Sequence, residues 1–209
     1  MKSMAVAIFS AVLLTGCAIR ANPESVALAQ PIPIERVSLK TALVVPPGLE
    51  EYRWSGGASS LSGSLMVLEL PLGRPTVEAL RTRLAAATDV TPQSEAEVLV
   101  EPMIAGAEWR IDDDSQAIKG AAFGVAGAAA SRPAAVVSVD LQLVARTKDG
   151  REVYRRTVTG RGMGWNGTAL SFSTERAATT AASYALSEAA AKAVQQLVAD
   201  PVVRTLGRL

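Results

Sequence analysis

The side chain with the most distinctive chemistry in this 209-residue chain is a single cysteine, Cys17. One thiol forms neither an internal disulfide nor a multi-cysteine metal site. The chain contains no histidine, which excludes Ser-His-Asp and Cys-His catalysis and histidine-ligated zinc. The function of the thiol must therefore be inferred from the residues around Cys17.

The residues that precede Cys17 have the composition of a secretory signal. Lys2 supplies a positive charge, and an apolar run extends from Met4 to Leu14. A helix needs about 20 apolar residues to span a bilayer, so this run is too short to be a membrane span. We therefore expect residues 1–16 to be a signal peptide.

Leu14-Thr15-Gly16-Cys17 resembles the lipobox of bacterial lipoproteins. The resemblance implies cleavage after Gly16 and a mature chain that begins at Cys17 with a diacylglycerol thioether and an N-acyl group. Thr15 and Gly16 are small enough to admit a peptidase, and only cysteine offers a thiol to alkylate. Three acyl chains exceed the two signals that stable anchoring needs. Ala18, in place of Asp, implies the outer membrane by resemblance to sorted Gram-negative lipoproteins. The alternative is an ordinary buried cysteine after an apolar helix.

The amino-acid composition limits the classes of protein to which the chain can belong. The chain is 49% hydrophobic and 20% charged, which is typical of a folded domain. Loss of the signal peptide, whose only charged residue is Lys2, leaves 20 cationic and 20 anionic side chains. A chain with no basic surplus is not expected to bind nucleic acid.

Three parts are predicted along the chain: the signal peptide at 1–16, lipidated Cys17 with an extended tether at 17–36, and a periplasmic α/β domain at 37–209. The tether is expected to be extended because it contains three prolines. Residues 48–64 are rich in Gly and Ser and are predicted to be a loop, and residues 88–95 a turn.

Hydrophobic periodicity predicts an α+β fold with a small, mostly antiparallel sheet and two helices packed on one face. Val77, Leu80 and Leu84 form one apolar stripe of the first helix, which begins at Gly73, and the second helix carries an alanine stripe. The predicted strands are 37–45, 65–70, 97–111, 135–146 and 151 to about 162, and the second helix spans 177–198.

The segment 119–130 combines Gly120, Phe123, Gly124 and Gly127 with alanines. Small residues at this spacing let helices approach closely. Three interpretations remain open: a packed connection beneath the sheet, a self-association face in a homo-oligomer, or a hairpin that dips into a membrane.

Three aromatic residues are candidate contacts to a protein partner or a lipid surface: Tyr52 and Trp54 in the predicted 48–64 loop, and Trp165. The alternative is that they fold back and cap the core. Arginines of the last predicted strand favour a charged, exposed sheet edge. The run 112–114 of three aspartates is expected to be a solvated turn, since its spacing does not suit calcium. No metal or cofactor is predicted.

The chain lacks the G-x-S-x-G, phosphate-loop and Ser-x-x-Lys motifs, so no enzyme is predicted. The strand 136–143, the turn 148–150, the Arg-rich return strand and the Ala-rich helix that ends near Asp200-Pro201 resemble the YajG-like family of outer-membrane lipoproteins. The likeness covers residues 75–206 and implies no catalytic residues. The same fold group includes lipoproteins that help to export polysaccharide or curli, and auxiliary lipoproteins of lipid-transporting ABC systems.

These observations predict a non-enzymatic, membrane-anchored lipoprotein that acts as a scaffold or accessory subunit of a cell-envelope assembly. One alternative is a carrier of a lipid or glycolipid, which would need an apolar cavity between helix and sheet. The alanine stripe argues against that cavity. Another alternative is a subunit of a ring-forming export channel. The sequence does not identify the envelope partner.

Overall fold

The computed structural model describes residues 17–28, 30–59, 66–112, 134–165 and 173–207. Its mixture of helices and strands confirms the predicted α+β class. In chain order the elements are β1 (Cys17–Arg20), β2 (Lys40–Leu43), β3 (Arg53–Gly57), β4 (Met66–Pro71), α1 (Gly73–Ala87), β5 (Asp89–Val90), β6 (Val98–Asp112), β7 (Ala134–Thr147), β8 (Glu152–Trp165), α2 (Thr174–Ala199) and α3 (Pro201–Leu206).

The strands form two sheets, whereas one had been expected. The larger sheet has the order β5-β2-β6-β7-β8. Its β5, β2 and β6 are parallel, and β6, β7 and β8 form an antiparallel meander. The smaller sheet has the order β1-β4-β3, in which β1 is parallel and β3 antiparallel to β4. The second sheet was missed because β1 and β4 are far apart in sequence, and local periodicity does not indicate such pairing.

The four elements that the sequence analysis missed are short, and one of them, β1, lies inside the predicted tether. Strand β3 lies inside the predicted 48–64 loop, because its glycines resemble loop composition although they pair with β4. Strand β5 lies inside the predicted 88–95 turn. Helix α3 follows the predicted end of α2, where the Asp200 carboxylate accepts hydrogen bonds from the backbone N–H groups of Val202 and Val203. This N-cap lets a new helix begin as α2 ends.

The strongly periodic elements were predicted correctly. Val77, Leu80 and Leu84 of α1 are fully buried. The register of β6 shifts between Ile104 and Gly106, and Gly150 adopts a φ of 86° in the predicted turn between β7 and β8. The alanine stripe of α2 is also buried, at Ala178, Ala182, Ala185, Ala189 and Ala193.

Helix α2 lies at the centre of the core. It packs on β7 and β8 of the larger sheet, on α1, and beside β1. One apolar cluster joins α1 and α2 to the inner face of the larger sheet around Leu141 and Leu143. A second joins the first half of α2 to the smaller sheet around Leu68 and Leu70. Because α2 contributes to both clusters, it holds the two sheets together.

The described residues of the predicted tether, 17–28 and 30–36, do not hang free of the domain. The segment begins with β1, and later residues contact α2. The backbone N–H of Glu24 donates to Ser183 Oγ at 2.9 Å. The backbone N–H of Val26 donates to Ser187 Oγ, also at 2.9 Å. The predicted tether is therefore docked on the central helix, and its reach away from the domain is short.

Candidate interaction surfaces

The contact between β8 and α2 is unusually close, because alternate glycines of β8 face the alanines of α2. A Cβ atom built on each glycine would lie 1.9 to 2.0 Å from a carbonyl oxygen of α2, too close for any side chain. The contacts are Gly160 with Ala185, Gly162 with Ala181, and Gly164 with Ala177. The glycines recur every two residues along β8, a rise of about 6.7 Å, and the alanines recur every four residues along α2, a rise of about 6 Å. The two spacings are close enough for three successive glycines to meet three successive alanines. Here the two backbones touch, and this interface leaves no room for a ligand.

Strand β8 forms one edge of the larger sheet, and α2 covers part of its unpaired backbone. The backbone N–H of Arg161 donates to the Glu188 carboxylate. Lys192 Nζ donates to the backbone carbonyl of Thr159 at 3.1 Å and lies 2.9 Å from Glu188 Oε1. The charged edge that the arginines predicted is therefore protected partly by an ion pair from the neighbouring helix. Glu188 and Lys192 were not singled out in the sequence, although their i,i+4 spacing is typical of a helical ion pair.

The opposite side of the β6-β7-β8 meander carries no helix among the described residues, and we call it the outer sheet face. Its outward side chains include Glu101, Met103, Glu108 and Arg110 of β6, Val136, Ser138, Asp140, Gln142, Val144 and Arg146 of β7, and Arg155, Thr157, Thr159, Arg161, Met163 and Trp165 of β8. Most of these side chains are exposed or half-buried. This face is accordingly a candidate surface for a partner.

One half of the outer sheet face satisfies its own charges. The Arg155 guanidinium donates to both Glu152 carboxylate oxygens, at 2.8 and 2.6 Å, and to Gln142 Oε1 at 3.2 Å. These bonds lower the pKa of the Glu152 carboxyl below its ordinary value and raise the pKa of Arg155. Arg146 pairs with Glu101 at 2.5 Å. Because each charge has a partner, this half offers hydrogen-bonding side chains rather than free charge.

The other half of the outer sheet face carries two exposed apolar side chains. Trp165 is 59% exposed and Met163 is 37% exposed. The strand register aligns Met163 with half-buried Val136 and with Arg110. Neither Arg110 nor Arg161 forms an ion pair within the described part of the chain. This half therefore combines exposed apolar side chains with unpaired cations.

The other two predicted aromatic contacts fold back on the protein. Tyr52 and Trp54 are half-buried and pack against the apolar cluster of the smaller sheet. Trp109, which the sequence analysis did not single out, is 1% exposed and donates from Nε1 to the Gly56 carbonyl at 3.0 Å. Of the three predicted aromatic positions, only Trp165 is mostly exposed.

Cys17 is the first residue of β1 and pairs with Met66 at the start of β4. Beside it, Ala18 and Met66 line a shallow groove whose other wall is Ser173 and Thr174, at the start of α2. Leu14, Thr15 and Gly16 of the predicted cleavage site lie outside the described residues, as do Gly120, Phe123, Gly124 and Gly127.

The last residues of the meander lie at the same end of the molecule as Cys17. Asp112, Ala134 and Trp165 are paired side by side. The preceding residue, Gly164, contacts Ala177 in the first turn of α2. We call this the Cys17 end, comprising Cys17, Met66, Asp112, Ala134, Trp165 and Ser173.

The described ranges contain no group of three or more acidic, Cys or His residues arranged to hold a metal ion. Within them, every helix is too short or too polar to cross a membrane.

Comparison with known proteins identifies no family by sequence: no protein-family model and no curated protein matches the chain. Among solved structures, the fold is similar to the crystal structure of protein XCC0632 from Xanthomonas campestris, of the family model DUF330. The TM-score is 0.45 at 14% identity, and the match covers 85% of this chain and 93% of that chain. A likeness this distant carries no argument about function.

Proposed function

We propose that the protein is a non-enzymatic lipoprotein, anchored in the outer membrane through acylated Cys17, with its domain in the periplasm. It acts as a scaffold or accessory subunit of a cell-envelope assembly. The observation that carries this proposal is that the lipobox cysteine belongs to a strand of the domain, because Cys17 pairs with Met66 in the smaller sheet.

The closed core favours a scaffold over a lipid carrier. A carrier would need an apolar cavity between helix and sheet. In this chain Gly160, Gly162 and Gly164 bring β8 into backbone contact with α2, which removes that space. Among the described residues no helix covers the outer sheet face, which leaves it available for protein contacts.

The anchor is tested by fractionating cells that express the full chain or Cys17→Ser. The proposal expects the parent protein in the outer-membrane fraction, with a mass increased by acyl groups, and the variant unprocessed and without acyl groups. Ala18→Ser is the matched control, since Ala18 is exposed and next in the chain. Identical processing and fractionation of Cys17→Ser and the parent would overturn the proposal.

The scaffold role is tested on the acylated protein in detergent. Native mass spectrometry should show the protein without a bound lipid other than its own acyl groups. A stoichiometric lipid ligand would favour the carrier instead. Size-exclusion chromatography with light scattering gives the subunit number, and a closed ring would favour the export channel.

A further inference from the structure

Two exposed large apolar side chains, Trp165 and Met163, lie at or near the Cys17 end. Large apolar residues with strong exposure in the described part of the chain are Val90, Met103, Met163, Trp165 and Val202. Trp165 belongs to the Cys17 end, and Met163 lies two residues before it on the same face of β8. Tryptophan is enriched at membrane–water interfaces, where its ring lies at the level of the lipid headgroups.

We propose that the Cys17 end rests on the bilayer, with Trp165 and Met163 in the headgroup region of the lipid. This inference rests on the proposed anchor at Cys17. A lipid surface is the occupant because an acylated Cys17 would join the bilayer to the first residue of β1 with no linker. Strands β1 and β4 and helix α2 all start at this end, so the anchor would bring this end to the membrane.

The charges at the Cys17 end are mixed. Arg110 and Arg161 carry positive charge, whereas Asp112 and Glu175 carry negative charge nearby. The chain from Cys17 onwards has as many cationic as anionic side chains. The contact is therefore apolar in origin: it forms on zwitterionic lipid and is insensitive to salt, which screens only charge interactions.

Two methionines of the outer sheet face provide a matched pair of probe sites. Met163 is 37% exposed and lies near the Cys17 end, and Met103 is 48% exposed and lies farther along the face. The strand register aligns Met103 with Thr157 of β8. Thr157 lies six residues before Met163, so the two methionines are about 20 Å apart along the strand direction. Acylation consumes the thiol of Cys17, so a cysteine introduced at either position is the one free thiol of the mature chain.

The experiment uses the full chain, expressed and acylated, as Met163→Cys and Met103→Cys. Each is labelled with an environment-sensitive fluorophore and reconstituted into phosphatidylcholine vesicles that contain a lipid-attached quencher. The acyl mass and vesicle co-flotation are measured first. We expect a blue shift and quenching for the label at position 163, neither change at position 103, and the same result at high salt.

The outcomes separate the two proposals. Acylated, vesicle-bound protein whose labels at 163 and 103 respond alike overturns the orientation and leaves the anchor intact. Protein that carries no acyl groups overturns the anchor and this inference with it.

A further variant tests whether Trp165 itself contacts the lipid. Trp165→Ala on the Met163→Cys background keeps the anchor, so co-flotation is unchanged. The inference expects loss of part of the blue shift at position 163. An unchanged spectrum would show that Trp165 does not contact the lipid. The melting temperature of the variant confirms folding, which is expected because the side chain is mostly exposed.

Discussion

At the scale of single residues, the glycines of β8 determine how closely α2 approaches the sheet. Glycine in a strand interior is ordinarily destabilising, because it packs no side chain and gains freedom on unfolding. Gly162 escapes this rule since a Cβ there would lie 1.9 Å from the backbone oxygen of Ala181. The absence of a side chain is what this position requires.

Gly162→Ala is expected to lower the free energy of unfolding by about 1–3 kcal/mol, as overpacking of a core does. Urea denaturation measures the loss. Gly57→Ala is the control, because nothing lies within 4 Å of a Cβ built at Gly57. Adding Ala181→Gly should not restore stability, because the obstructing atom belongs to the backbone. Equal stability of the two single variants would show that the contact is looser than described.

Tyr154 makes folding sensitive to alkaline pH. Burial raises the pKa of its hydroxyl from 10.0 to about 12, and that hydroxyl has no hydrogen-bond partner within the described part of the chain. Because the folded pKa exceeds the unfolded one, stability is complete below about pH 10 and falls as the pH rises from 10 towards 12.

Tyr154→Phe should remove the part of the alkaline loss of stability that ionisation of Tyr154 causes. At pH 7 the variant should have the same free energy of unfolding as the parent or one higher by up to about 1 kcal/mol, since it deletes a buried hydroxyl without a partner. The measurement is urea unfolding at neutral pH and near pH 11. Tyr184→Phe, at a half-buried position on α2, serves as the control. An alkaline loss of the same size in Tyr154→Phe and the parent would contradict the assignment.

At the scale of elements, the edge of β8 depends on α2 for protection. An unpaired strand edge offers N–H and carbonyl groups to other chains. Glu188 accepts from Arg161 N–H, and Lys192 donates to the Thr159 carbonyl. The helix thus occupies the positions that a further strand would use.

Glu188→Ala should cost about 1 kcal/mol, because it removes a hydrogen bond to a charged group that is partly exposed. The specific readout is faster hydrogen exchange at the Arg161 amide. Glu78→Ala is matched to it, since Glu78 lies on α1 and its carboxylate has no hydrogen bond or ion pair in the described structure. Unaltered exchange at Arg161 would rule out the protective role.

Elements with strong periodicity were predictable from the sequence, and contacts between distant segments were not. The alternation in β7 and the stripe of Val77, Leu80 and Leu84 follow from one-sided burial, which a local window detects. Strand β3 has Gly56 and Gly57, whose composition indicates a loop unless the pairing with β4 is known.

The candidate surfaces were predictable only in part. Trp165 and Cys17 stood out by residue type. The exposure of Trp165, the partial burial of Tyr52 and Trp54, and the position of Trp165 at the same end as Cys17 depend on tertiary structure, which sequence spacing does not encode. The glycine repeat of β8 and the alanine repeat of α2 were both visible, but their match required the helix to lie on that strand.

At the scale of the whole molecule, the docked N-terminal segment determines how far the domain stands from its anchor. An extended tether of this length would allow a wide reach. The bonds of Glu24 to Ser183 and of Val26 to Ser187 hold the segment on α2 instead. An anchor at Cys17 would therefore restrict the orientation of the whole domain.

The double variant Ser183→Ala/Ser187→Ala tests this docking, because it removes the acceptors of two backbone N–H groups. We expect a loss of about 1 kcal/mol per hydrogen bond in urea unfolding and faster hydrogen exchange at the amides of Glu24 and Val26. Ser138→Ala, on the outer sheet face, should change neither quantity. A free tether predicts that the amides of Glu24 and Val26 exchange rapidly already in the parent chain and that the double variant leaves their exchange unchanged. Slow exchange in the parent and its loss in the variant would instead establish that the anchor segment is an integral part of the fold.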